Sequence, residues 1–105
     1  MKADELMLCD WVCIHGENWR ATLATLQLAW EEPDKVQPVP LTHEILEKNG
    51  WEFDELDGDY YNREIHFRVL GGKSPYMIFD GVGISYVHEL QHALKLEKIE
   101  MRIIL

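Results

Sequence analysis

The sequence predicts a small α+β domain. Three observations carry that expectation. Thr42 to Gly50 holds the start and stop signals of a short helix, residues 85–96 repeat apolar side chains at helical spacing, and most of the rest alternates like strands between turn-forming clusters. The expected order is a small β-barrel-like (SH3-like) lobe over about 1–41, then an α+β lobe over 42–105. The second lobe holds a short helix, antiparallel strands, one main C-terminal helix and a last strand, and both lobes belong to one domain.

Residues 7–14 read as a strand, with Trp11 and Cys13 on one side and Val12 and Ile14 on the other. His15-Gly16-Glu17-Asn18 reads as a turn. Residues 19–28 alternate Ala21, Leu23 and Thr25 against Thr22, Ala24 and Leu26, which favours a strand over a helix. Glu31 to Lys35 is a charged loop. Pro38 and Pro40 hold residues 36–41 extended.

The next segment has the clearest local signals. Thr42 is a good N-cap, and Leu41 and Leu46 can form a hydrophobic staple. Glu44 complements the helix dipole, and Gly50 can take the left-handed position after the last turn. A helix over 43–48 follows. Residues 51–56 are a strand candidate, 57–59 a turn, 60–70 one long strand, 71–75 a turn and 76–79 another strand. After a break at 80–83, Ser85 to about Leu96 is the main helix, its core face built from Tyr86, Val87, Leu90, Ala93 and Leu94. Residues 99–105 look like a final strand.

Nineteen acidic and ten basic side chains give the 105-residue chain a formal charge of −9. Such a surface repels phosphate backbones, which argues against direct nucleic-acid binding and suits a basic protein partner. No apolar run approaches the ~20 residues of a membrane-crossing helix. The first residues lack the basic start and long apolar stretch of a secretory signal, so a cytoplasmic protein is expected. Cys9 and Cys13 lack the further ligands of a structural zinc site and are expected to be reduced thiols.

His88-Glu89-Leu90-Gln91-His92 fits the His-Glu-x-x-His pattern of zinc hydrolases, in which two histidines bind the metal and the glutamate activates water. A catalytic zinc needs a third protein ligand. The extended pattern would place it at Lys98, and a glutamate some twenty residues on would lie beyond Leu105. Upstream, His43 and His66 are the remaining candidates. At 100° per residue, His88 and His92 lie far from Leu90, on the side a one-sided helix gives to solvent. The pentamer is therefore expected to be a surface feature of a structural helix.

Gly72-Lys73-Ser74 resembles the end of a phosphate-binding loop, but Phe67 stands where the loop needs Gly, and Pro75 follows. Asp54, Glu55, Asp57 and Asp59 only loosely resemble a calcium loop, with Ile65 where the closing Glu belongs. Trp11, Trp19, Trp30 and Trp51 are many for this length. They are either core residues or partly exposed interface anchors.

Three stretches together resemble a known family: Asp10-Trp11-Val12, then Pro38-Val39-Pro40-Leu41-Thr42-His43-Glu44-Ile45-Leu46-Glu47-Lys48-Asn49-Gly50-Trp51, and Tyr86 to Leu94. The family comprises small uncharacterised proteins of gut bacteria and their phages that carry "PLTxEILEKNGF" and "YVHxLQ" motifs. Trp51 stands where that motif has Phe. The family's residues at the positions of Glu89 and His92 are often Gln and Asn, which weakens a hydrolase reading. The resemblance implies a phage- or mobile-element-type protein and supplies no catalytic residues.

The functional expectation is a non-enzymatic protein-interaction module. It would be a phage or mobile-element accessory, or an anti-defence protein that binds a host protein. The alternative is a minimal zinc-dependent hydrolase using His88, Glu89 and His92. No cofactor, metal ligand or catalytic residue is assigned, no membrane association is expected, and self-association is left open.

Overall fold

The computed structural model describes residues 1–56, 58–65, 67–70, 77–79 and 82–105. It is a mixed α+β chain, and among the described residues its two antiparallel sheets are both open. The chain divides into two compact units.

The first unit comprises Met1–Pro40 and Tyr86–His88. Strands β1 (Trp11–Ile14) and β2 (Glu17–Arg20) form a hairpin, and β3 (Gln37–Pro38) pairs on the other side of β1. The hairpin turn is only His15–Gly16, at φ 52° and 77°. Two positive φ values fit a type I′ turn, whose twist matches the strands it joins. Glu17 and Asn18 are thus strand rather than turn. Residues 7–9 are not strand either. Buried Asp10 accepts a hydrogen bond at Oδ2 from the Met7 amide (2.8 Å), which curls the chain before β1.

Residues 19–28 depart furthest from expectation. The strand stops at Arg20, and α1 runs Leu23–Glu31. Thr22 and Thr25 explain the change. Thr22 Oγ1 accepts from the Thr25 amide (3.4 Å), and Thr25 Oγ1 accepts from the Thr22 amide (3.1 Å). This reciprocal cap satisfies two donors that a helix start leaves open. Leu6, Val12, Ala21, Ala29 and Val36 form the core beneath.

The second unit comprises Leu41–Ser85 and Glu89–Leu105. Its first element is α2 (His43–Lys48), with the expected boundaries. Thr42 Oγ1 accepts from the Ile45 amide at 3.2 Å, and Gly50 lies at φ 94°. The Gly50 amide bonds Glu47 O and the Trp51 amide bonds Leu46 O, the two closing bonds of a Schellman motif. Trp51 is then fully buried, edge-on to Phe67 at 6.3 Å.

Strands β4 (Glu52–Asp54), β5 (Asp59–Asn62), β6 (Phe67–Leu70), β7 (Met77–Phe79) and β8 (Val82–Ile84) follow as a meander in that spatial order. The expected long strand 60–70 is a hairpin, with Asn62 opposite Phe67. Asn62 Oδ1 accepts from the Glu64 amide at 3.1 Å, an Asx turn that ends β5. The turn expected at 71–75 lies outside the described residues.

Helix α3 (Val87–Leu96) matches the main helix expected. Residues 99–105 are not a strand. Buried Ile103 anchors them, and Asn49 holds the Ile104 backbone. No helix among the described residues is long and apolar enough to cross a membrane.

Gly50 gives a direct test of the α2 terminus. A Cβ there would meet Asn62 Nδ2 at 3.3 Å, in a backbone conformation side chains rarely adopt. Gly50→Ala is expected to lower stability by about 1–2 kcal/mol in urea unfolding.

Candidate functional site

The reciprocal threonine cap fixes the phase of α1. Thr25 and Ala29 turn inward and are buried. Leu23 and Trp30, seven residues apart, share the opposite side with Gln27. Leu23 is 74% exposed and Trp30 80% exposed. Large apolar side chains left this open cost solubility unless something covers them. Glu31, Glu32 and Asp34 follow immediately in the chain and are exposed.

On β2, Trp19 is 53% exposed. It pairs with buried Val12, so it stands on the core side of the sheet, on a strand with no neighbour beyond it among the described residues. Trp11 is engaged differently, with the Arg20 guanidinium 4.6 Å above its ring. The four tryptophans therefore split. Trp51 is core, Trp11 is a cation–π partner, and Trp19 and Trp30 are surface. The signal in the sequence was Thr22 as a cap. Winding a helix from it places Leu23 and Trp30 together.

The His-Glu-x-x-His residues do not sit as expected. His88 is only 6% exposed, stacked on Tyr86 at 5.8 Å and 12°. Tyr86, expected in the core, is 38% exposed. The cause lies in how α3 begins. The Val87 amide bonds Val39 O, Tyr86 bridges Pro40, and Tyr86–His88 belong to the first unit. The start of α3 thus belongs with the first unit, which one-sided periodicity does not encode. Farther along, Val87, Leu90, Ala93 and Leu94 are buried as expected. Glu89 Oε1 accepts from the Ser85 amide at 2.9 Å, the role of a carboxylate at a helix N-terminus. Among the described residues, no three His, Cys, Asp or Glu side chains are grouped to hold a metal. His66 lies outside the described residues, as do the Gly72-Lys73-Ser74 segment and Asp57 of the acidic turn.

His43, a candidate third ligand, is occupied elsewhere. Its Nδ1 lies 2.6 Å from the Tyr60 hydroxyl and its Nε2 2.7 Å from Glu47 Oε1. A neutral imidazole satisfies both partners when Nδ1 accepts from the phenol and Nε2–H donates to the carboxylate. Phe53 packs edge-on to His43 and tilted on Tyr60. The order carboxylate–imidazole–hydroxyl resembles a nucleophilic triad, but the electrostatics oppose one. Burial, aided by the Glu47 charge, raises the Tyr60 pKa above its usual 10.0. The phenol is kept protonated rather than activated, and the group acts as a clasp between α2 and β5. Along β4, an open groove of about 420 Å³ is lined by residues 52–56 with Tyr61 and Arg63. Arg63 Nε is 3.5 Å from Glu52 there.

No family model, curated protein or solved structure matches the chain.

The clasp predicts a pH dependence. The folded state holds the Tyr60 proton more tightly than the unfolded chain. That stabilisation is whole below the usual phenol pKa of 10.0 and is lost as pH rises through the higher folded value. Tyr60→Phe should lose about 1 kcal/mol at neutral pH. It should also fall less steeply than the parent in urea unfolding between about pH 9 and about pH 11.

Proposed function

We propose that the protein is a non-enzymatic interaction module, docking a basic partner through the outer side of α1. One observation carries this reading. Trp30 and Leu23 stand open on one side of a helix that is capped at its start and anchored by Thr25 and Ala29. Tryptophan supplies large, rigid contact area and is enriched among residues that dominate binding energy. Exposed Glu31, Glu32 and Asp34 come next in sequence, and the chain carries −9 overall. Both features favour a basic partner and faster encounter with it. The sequence resemblance suggests the setting, a phage or mobile-element accessory or anti-defence protein whose partner is a host protein.

Trp30→Ala separates this role from a structural one. At such exposure, stability should change by no more than about 0.5 kcal/mol. Immobilised full-length chain should retain basic proteins from a gut-bacterial lysate that the Trp30→Ala chain does not. Titration of a retained partner should show at least ~30-fold weaker binding to the variant. Equal retention by both chains would remove α1 as the docking surface.

A further inference from the structure

Among the described residues, the three-stranded sheet of the first unit has two edges of different character. Across the two-residue turn, Ile14 and Glu17 form a hydrogen-bonded pair, and the pairing alternates along the hairpin. Val12 with Trp19 is the next such pair, and the 2.7 Å bond from the Ala21 amide to Asp10 O continues it. Asn18 and Arg20 therefore turn their backbone N–H and C=O groups to the outer side of β2. The same alternation on β1 pairs Cys13 with Gln37 and turns Pro38 outward. The β3 edge thus presents a residue with no N–H, a usual guard against strand addition. The β2 edge has no proline, and its one cation, Arg20, is drawn over Trp11. Glu17, Asn18 and Trp19 are all exposed.

We propose that β2 pairs with β2 of a second copy, antiparallel about a two-fold axis through Trp19. Alternation allows this register. Asn18 lies opposite Arg20 of the second copy as a hydrogen-bonded pair, and the two Trp19 residues face each other as a non-hydrogen-bonded pair. Side chains approach most closely at such a pair, where aromatic partners are favoured. Glu17 falls opposite Ala21, so no like charges oppose each other. Each Trp19 already stands on the core side, so pairing covers the part of its surface that the edge leaves open. Pro38 blocks growth at the other edge, and the assembly closes as a dimer instead of extending. A four-residue edge buries less than the roughly 1,200 Å² of a standard interface, so the dimer is weak. Two chains of −9 repel each other, so added salt tightens it.

Sedimentation velocity on the full chain tests this, from about 5 µM to about 500 µM at low and high salt. The expected result is a reversible monomer–dimer equilibrium that shifts toward dimer with salt. A far-UV exciton couplet from the Trp19 pair should grow with concentration. Asn18→Pro, which removes an outward N–H without touching the β1 ladder, and Trp19→Arg should both lose the dimer and the couplet. Trp30→Ala should keep both, which separates this edge from the docking side of α1. A monomer throughout the concentration range would overturn the proposal. So would a dimer that survives in folded Asn18→Pro and Trp19→Arg chains, or one that salt dissociates.

Discussion

The side-chain amide of Asn49 is bonded to backbone on three sides. Its Nδ2 donates to Ile45 O and to Ile104 O, and its Oδ1 accepts from the Ile104 amide, each at 2.7 Å. Asn62 Nδ2 donates in turn to Asn49 O at 3.1 Å. A helix of six residues is too short to hold itself together in water. Here its end is tied to β5 and to the chain leading to Leu105. Gly50 then reverses the backbone, and Trp51 enters the core. The second unit is arranged around this joint. Trp51 fills the core at a cost, because its buried indole N–H meets no acceptor among the described residues. Such an orphan donor costs about 1–3 kcal/mol, offset by the burial of the large ring.

The first unit is built on a different principle. The core cluster that α1 covers is made of small residues, Ala21, Ala29, Val12 and Val36, with Leu6. The unit's largest side chains stand at or near the surface. Small side chains at the α1 contact let the helix lie close to what it covers, and Trp30 is left outside. A protein that used its tryptophans only for stability would bury them, as it buries Trp51. The division between a joint-held core and an open aromatic surface is what gives the interaction reading its physical basis.

The legible parts of the fold are those whose signals are local. Thr42, Glu44 and Gly50 mark both ends of α2, because capping and the left-handed terminus depend only on nearby backbone. The buried face of α3 from Val87 to Leu94 is legible by its period. The misread parts depend on competition or on distant partners. Thr22 and Thr25 suit a strand by propensity, and their reciprocal hydrogen bonds decide for helix. Asn62 interrupts a pattern that alternates well on either side of it. Ile103 and Ile104 read as strand, yet the Ile104 backbone is held by a side chain 55 positions away. His88 shows the same limit, since it is buried beside Tyr86 and Val87, which pair with Pro40 and Val39 far back in the chain. Exposure of Trp30 against burial of Trp51 was not legible, because the same residue type serves both roles.

The Asn49-Gly50 joint also has a chemical consequence. Asn followed by Gly is the dipeptide most prone to deamidation, because glycine lets the next backbone nitrogen reach the side-chain carbonyl. In the fold that attack is obstructed. The Gly50 amide is engaged with Glu47 O, and the Asn49 amide is locked by its own bonds. When the joint opens, the Gly50 nitrogen can attack the Asn49 side-chain carbonyl and expel ammonia, and water then opens the cyclic imide mainly to isoaspartate and in part to Asp, either of which would set a carboxylate near the carbonyls of Ile45 and Ile104. Closure would then be opposed. The residue that holds the unit together is therefore also a slow, irreversible clock, advancing only while the joint is open.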